Sequence, residues 1–424
     1  MSGVARELMH GAARAFSSMS RSRANDGALI IPPAGPGSLG DEAMCEAVAC
    51  MLRRAGVSPI TLLARPGLAP WPDLGGVGAY VDPSGGGVVR SARVLSLMRR
   101  HRYLFVIGAD CIDGHYSVAN SVQLITLVDC GARMGCIATL VGSSYKAGAR
   151  SETARALRRV HPPARLCSRD PVSQERMSAA SGRTIQLVAD AAFMLEPREL
   201  MSDQELVRGW IEAQGDRPIL GVNFNHQVLH GASQESVDAL HASYVEVIRR
   251  SHRELDASIL LIPHDYRREP NDATYADRLF ARLSPELGDR ILRLPGRRTP
   301  GEIKHVAGMV DVVLTGRMHL AIACLGRGTP PACVTYQGKF EGLMRHFGLE
   351  GMTLDPERAC DADALWVMVS GAMSRSAAMR EQIRSRLESI QAMSRQNFPD
   401  ELRSKIEASL SAERDGAPRE RVAV

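Results

Sequence analysis

The apolar positions of the chain come in short continuous runs. Each is followed by a Gly-rich turn and then by apolar residues at helical spacing. "ALIIPP" (28–33) predicts a buried strand, "AGPGSLG" (34–40) a loop, and "DEAMCEAVACMLRRAG" (41–56) a helix ending at Gly56. "PITLLA" (59–64) gives the next strand, and the Pro- and Gly-rich stretch up to the glycines at 85–87 reads as loop. A helix over 90–101, a strand over 103–110, a helix and strand within 121–144, and a strand, turn and helix over 165–182 continue the alternation. "TIQLVADAAFML" (184–195) closes this half.

After a linker and helix around 197–216 the alternation restarts. It gives strands at 218–225, 258–265, 290–296, 310–316 and 330–337, with helices at 236–255, 275–284 and 300–309. Apolar strands separated by helices imply parallel sheets covered on both faces. Two successive series therefore predict an α/β chain of two Rossmann-like, doubly wound domains, at 27–196 and 215–360, facing a cleft. A polar, Arg-rich helical tail is expected over 361–414, and residues 1–26 and 415–424 are expected to be disordered.

Composition narrows the classes. A chain of 424 residues exceeds one average domain, and 45% hydrophobic residues with 4% aromatic ones provide mostly aliphatic cores. The net charge of +5 comes from scattered basic residues, which argues against a nucleic-acid partner. Nearly all of those are arginines; the lysines are Lys146, Lys304, Lys339 and Lys405, so the position of a lysine carries more information. Nine cysteines show no C-x-x-C pair, and several lie in apolar runs. They are expected as buried thiols in a reducing compartment, with no structural metal site. No apolar run reaches the length of a membrane span, and the cytoplasm is the expected location.

In doubly wound folds ligands sit beyond the carboxyl ends of the strands, so four corners matter. "GPGSLGDEAM" (35–44) places glycines before a helix start whose free N–H groups suit a ligand, with Gly40, Asp41 and Glu42 at the turn. Asp41 and Glu42 would equally suit the helix dipole. "GADCIDGHYS" (108–117) sets Asp110, Asp113 and His115 after a strand, although Asp113-Gly114 also makes a plausible turn. In "CSRDPVS" (167–173), Asp170-Pro171 is ordinary helix-start chemistry, whereas Arg169 has no such local reason. In "VVLTGRMHLAIACLGRGTPPACVTYQGKF" (312–340), Arg317 and His319 fall in the first turn of a helix. Cations there oppose the helix dipole, and a bound anion would resolve the conflict. Neither half carries the full dinucleotide fingerprint, which disfavours a dehydrogenase.

In order along the chain, "GSLGDEAM" (37–44), "SRDPVS" (168–173), "VADAAFML" (188–195), "LLIPHD" (260–265), "TGRMHLAIAC" (315–324) and "TYQGKFEGLMRHFGL" (335–349) resemble the motifs of the polysaccharide pyruvyl transferase family. In that family 188–195 would be an Asp-containing strand. The resemblance implies domains arranged as in GT-B glycosyltransferases, phosphoenolpyruvate as donor substrate with no cofactor, and a sugar, lipid-linked or polymeric glycan as acceptor. Arg169, Arg317 and His319 match the residues that hold the donor, and Lys339 would add charge there. Two positions depart from the pattern: Ala109-Asp110 stands where the family often has Gly-Gly, and Ser38-Leu39 where an Asn precedes the glycine motif.

On this reading Arg169 and Arg317 clamp the phosphate and carboxylate, and His319 binds phosphate or acts as general acid. Asp41, Glu42 or Asp110 would be the base, and Gly40, Asp41, Glu42 and Asp113 would meet the acceptor. The helical tail would pack across the domains, as a closing helix does in GT-B folds, or mediate peripheral contact with a membrane-bound polysaccharide assembly complex. Two rivals share the scaffold: a GT-B glycosyltransferase using a nucleotide sugar, and a non-catalytic glycan- or anion-binding protein.

Overall fold

A computed structural model describes Gly11 and residues 26–64, 70–82, 87–229, 231–335 and 340–416. Apart from Gly11, the leader up to residue 25 lies outside the described residues, as do Tyr336 to Lys339 and residues 417–424, so the expectations for Lys339 and most of both termini are not addressed by it. The chain divides into two compact units. Of the described residues, the first contains those up to Gly35, Cys45–Met194 and those from Ala392 onward; the second contains Pro36–Met44 and Leu195–Gln391.

The first unit holds a seven-stranded sheet: β1 (Ala28–Ile31), β2 (Ile60–Leu63), β3 (Ala79–Val81), β4 (Tyr103–Ile107), β5 (Ile137–Ser143), β6 (Arg165–Ser168) and β7 (Gln186–Leu187). Its order is β3-β2-β1-β4-β5-β6-β7, and every ladder is parallel. Buried Leu29, Val106, Leu124, Val128, Leu140 and Leu157 join strands and covering helices in one core.

The second unit has six strands: β8 (Ile219–Asn223), β9 (Ser258–Leu261), β10 (Ile291–Arg293), β11 (Val312–Thr315), β12 (Pro331–Val334) and β13 (Thr353–Leu354). The order β10-β9-β8-β11-β12-β13 is again wholly parallel. In both sheets the first strand lies beside the fourth, the Rossmann order, with its switch point at β1/β4 and at β8/β11.

Three expectations need correction. The segment 188–195 is not a strand: β7 ends at Leu187 and Ala191–Met194 forms a 3-10 turn. Asp190 Oδ1 accepts the Ala192 N–H at 2.9 Å, which turns the chain out of the sheet. The loop expected before residue 85 contains β3, a short strand at the edge of the sheet. The 361–414 tail is divided, with helix Ala362–Ser374 and most of Ser376–Arg395 in the second unit and Asp400–Gly416 in the first. All nine cysteines are free thiols. No helix among the described residues is long and apolar enough to cross a membrane.

Candidate functional site

At the switch point of the second unit, β11 ends at Thr315 and the chain turns through Gly316 into helix Met318–Leu325. A Cβ on Gly316 would lie 2.7 Å from Val228 Cγ1, so the turn is tight enough to require glycine. The Arg317 N–H donates to Thr315 Oγ1 at 2.9 Å, and Arg317 caps the helix with extended backbone. Its guanidinium then reaches back over the strand ends. Nε and Nη2 donate to the two Asp272 oxygens at 3.1 and 2.6 Å, while Nη1 meets Asp265 Oδ2 and Gln227 Oε1, each at 3.1 Å.

Asp272 is the anchor of this arrangement. It opens helix Asp272–Leu287, where a carboxylate suits the dipole, and its side chain is fully buried. Oδ2 also accepts from Asn223 Nδ2 at 2.8 Å and the His264 N–H at 3.2 Å. Burial opposes the charge on Arg317, but Asp272 and Asp265 outweigh it and hold the pKa above the usual value. Burial would likewise neutralise Asp265; Arg317 and Arg267 instead pull its pKa down. His264 is pushed down to about 3, by burial first and then by His319 and Arg317.

The "GSLGDEAM" segment belongs to the same site. Ser38 pairs with Asp265 in an antiparallel bridge, and the Tyr266 N–H donates to Gly37 O at 2.8 Å. This brings the first turn of helix Leu39–Arg54 against His319: a Cβ on Gly40 would fall 2.3 Å from His319 Nδ1. Gly40 is therefore a contact surface for the imidazole. Glu42 is buried, accepting the Gly37 N–H at 2.7 Å and pairing with Arg297. Asp41 lies 3.9 Å from Arg267. Arg267, Arg297 and Arg317 are thus interleaved with the carboxylates of Asp41, Glu42, Asp265 and Asp272, in place of the simple cationic corner expected from Arg317 and His319.

In the first unit, Arg169 follows β6 and is buried, with Nη1 on Asp190 Oδ2 at 2.7 Å and Nε on Ser144 Oγ at 2.8 Å. Burial opposes its charge, but Asp190 and then Asp110 hold its pKa up. Asp170 caps the following helix by accepting the Ser173 N–H at 2.7 Å, as its Asp-Pro sequence implies. After β4, Ala109 adopts a φ of 49°, a left-handed conformation that glycine takes more easily, at the position where the resembled motif has glycine. Asp113 is buried and accepts the His115 N–H at 2.9 Å within its own loop. Asp110 is the partly exposed carboxylate of this corner and accepts the Tyr116 hydroxyl at 3.1 Å.

Gly40, Asp41, Glu42, Arg317 and His319 come together in the second unit, while Asp110, Asp113 and Arg169 lie in the first. The sequence reading missed Asp272, Asp190 and Asn223 as partners. Asp272 has the local look of an ordinary residue after an Asn cap, and Asp190 of a polar break in an apolar run. Among the described residues no group of three His, Cys, Asp or Glu side chains is placed to hold a metal ion.

Residues 39–338 match the model of the family described as polysaccharide pyruvyl transferase. No protein of curated function matches the chain in sequence. Among solved structures, a candidate UDP-N-acetylglucosamine 2-epimerase from Listeria monocytogenes is similar at a TM-score of 0.57, with 11% identity over 95% of this chain and 100% of that one. A sucrose-phosphate synthase from Thermosynechococcus elongatus follows at 0.53, with 13% identity over 92% and 100%. The UDP-GlcNAc 2-epimerase from Neisseria meningitidis bound to UDP-GlcNAc gives 0.51, with 9% identity over 91% and 100%. At these identities the likeness shows the fold, two Rossmann-like domains of GT-B type.

Proposed function

The chain belongs to the polysaccharide pyruvyl transferase family, and from that premise we propose that it moves the pyruvyl group of phosphoenolpyruvate onto two hydroxyls of a glycan or its precursor, forming a ketal and releasing phosphate. The observation that carries this reading is the corner at β8/β11, where Arg317 and His319 flank a helix start and Gly40 packs on the imidazole.

Phosphoenolpyruvate presents a phosphate and a carboxylate. Arg317, held charged by Asp272 and Asp265, offers a fixed donor to one of them beside the first amides of helix Met318–Leu325. Arg169 is the second cation of the reading. His319 protonates the enol methylene, which makes the central carbon electrophilic. Asp110 or Asp41 takes the proton of the attacking sugar hydroxyl. The C–O bond to phosphate then breaks, and a neighbouring hydroxyl adds to the resulting oxocarbenium, losing its own proton to close the ketal.

Arg317→Ala and His319→Ala should each lower phosphate release from phosphoenolpyruvate in the presence of acceptor by on the order of a hundredfold. Near wild-type turnover in either variant would remove the donor-site assignment. In a thermal-shift assay phosphoenolpyruvate should stabilise the protein; stabilisation by a nucleoside diphosphate alone would favour a glycosyltransferase. Binding of phosphoenolpyruvate with no phosphate released over long incubation would indicate a non-catalytic protein.

A further inference from the structure

Tyr116 is a large aromatic side chain left 52% exposed on a loop that is otherwise pinned. Asp113 holds the loop from within, the Gly114 N–H donates to Ser121 Oγ at 3.1 Å, and the Arg150 N–H donates to Asp113 O at 2.9 Å. Gly114 has a φ of 85°, and a Cβ there would lie 2.7 Å from Arg150 Cγ. Ser117 caps the helix Val118–Arg133 that follows. The exposure of Tyr116 is therefore that of an aromatic ring presented on a fixed support.

Polar groups meet the ring at its edge and over one face. Its hydroxyl donates to Asp110 Oδ2 at 3.1 Å, the Lys146 ammonium lies over the ring 5.2 Å from its centroid, and the His115 ring meets it edge-on at 5.1 Å. An aromatic face with a negative quadrupole attracts weakly positive C–H groups, and a carboxylate at the rim and an ammonium over the opposite face bind hydroxyls. That combination fits a sugar ring, which has an apolar C–H face and hydroxyls around its edge. A cationic ligand is disfavoured by Lys146. The same β5 loop serves both neighbours: Ser144 accepts from Arg169, and Lys146, two residues on, covers Tyr116.

From this the geometry points to a sugar-binding subsite formed by Tyr116, Asp110 and Lys146, which receives the acceptor glycan. Its place in the reaction rests on the pyruvyl-transfer reading, whereas sugar binding itself does not. The test is saturation-transfer NMR on the full chain with the methyl glycosides of glucose, galactose and mannose. A parallel thermal-shift titration with phosphoenolpyruvate reads the donor side. The wild type should transfer saturation to the ring C–H protons of at least one glycoside. Tyr116→Ala should weaken that binding about five- to tenfold, Tyr116→Phe should largely keep it, and both should respond to phosphoenolpyruvate as the wild type does. Absence of saturation transfer to all three glycosides, or equal binding by Tyr116→Ala, overturns the subsite. Tyr116-dependent glycoside binding in a protein that ignores phosphoenolpyruvate upholds the subsite and removes the pyruvyl-transfer reading instead.

Discussion

At Arg317, burial and pairing act in opposite directions on one charge. Desolvation alone would drive a guanidinium out of such a place, yet the two oxygens of Asp272 and one of Asp265 keep it protonated and fixed in orientation. The consequence for an anionic ligand is double. Much of the long-range attraction is cancelled, while the remaining donor capacity is preorganised and needs no rearrangement when the ligand arrives. Asp272→Asn keeps the volume and one acceptor oxygen but removes the neutralising charge. Breaking a buried pair in this way costs ~3–5 kcal/mol, and the lower end is expected because Asp265 still faces the guanidinium. Urea denaturation of the two proteins at one pH reads that difference directly. A change below about 0.5 kcal/mol, the scale of ordinary surface substitutions, would show that Asp272 does not hold Arg317 in solution.

Among elements, the long parallel strands were legible because each is a continuous apolar run bounded by turn residues, as in "ALII" or "VVLT". The edge strands β3 and β13 were not, since β3 lies in a Pro- and Gly-rich stretch and β13 has only two residues. The corner rule brought out Arg317 and His319, but not the carboxylate 45 residues upstream that fixes the arginine. Nor could it show Gly40 against the imidazole, because only the folded chain places them together. The tail was read as a polar helix, although Phe398, Leu402 and Ile406 recur at helical spacing and are all fully buried. Phe398 packs on Phe105 of β4 with ring centroids 5.3 Å apart. Asn397 accepts the Gly142 N–H of β5 at 2.8 Å and donates to Ala189 O at 3.0 Å. This segment is thus part of the first unit's core, and Phe398→Ala should destabilise that unit by about 3–5 kcal/mol. A shift of unfolding to lower denaturant in chemical denaturation is the expected record; an unchanged profile would show the tail to be peripheral.

For the whole molecule, stability should depend on pH through Lys304. Its side chain is buried, and Nζ donates to Leu195 O at 2.6 Å. Burial, with a smaller push from Arg327, lowers its pKa from 10.5 to about 7, against the pull of Glu196. Between those values the unfolded chain binds more protons than the folded one, so stability rises with pH across this window and is lost as pH falls through about 7. The urea midpoint should climb from about pH 7 toward pH 10 in the wild type, and climb less in Lys304→Met, which cannot titrate. Parallel slopes would mean the amine is not buried in solution. The path of the chain also sets an order of events during synthesis. The second unit needs Pro36–Met44 and Leu195–Gln391, all of which leave the ribosome before Asn397 and Phe398. Domains commonly fold in the order in which they are made, but here the unit that begins first must wait for the whole of the other to emerge. A chain stalled after Gln391 would carry every strand of the first sheet while leaving Phe105 without its partner and the Gly142 amide without its acceptor. Nascent chains of this protein are therefore most exposed to misfolding at their amino-terminal half, until the final helix is released.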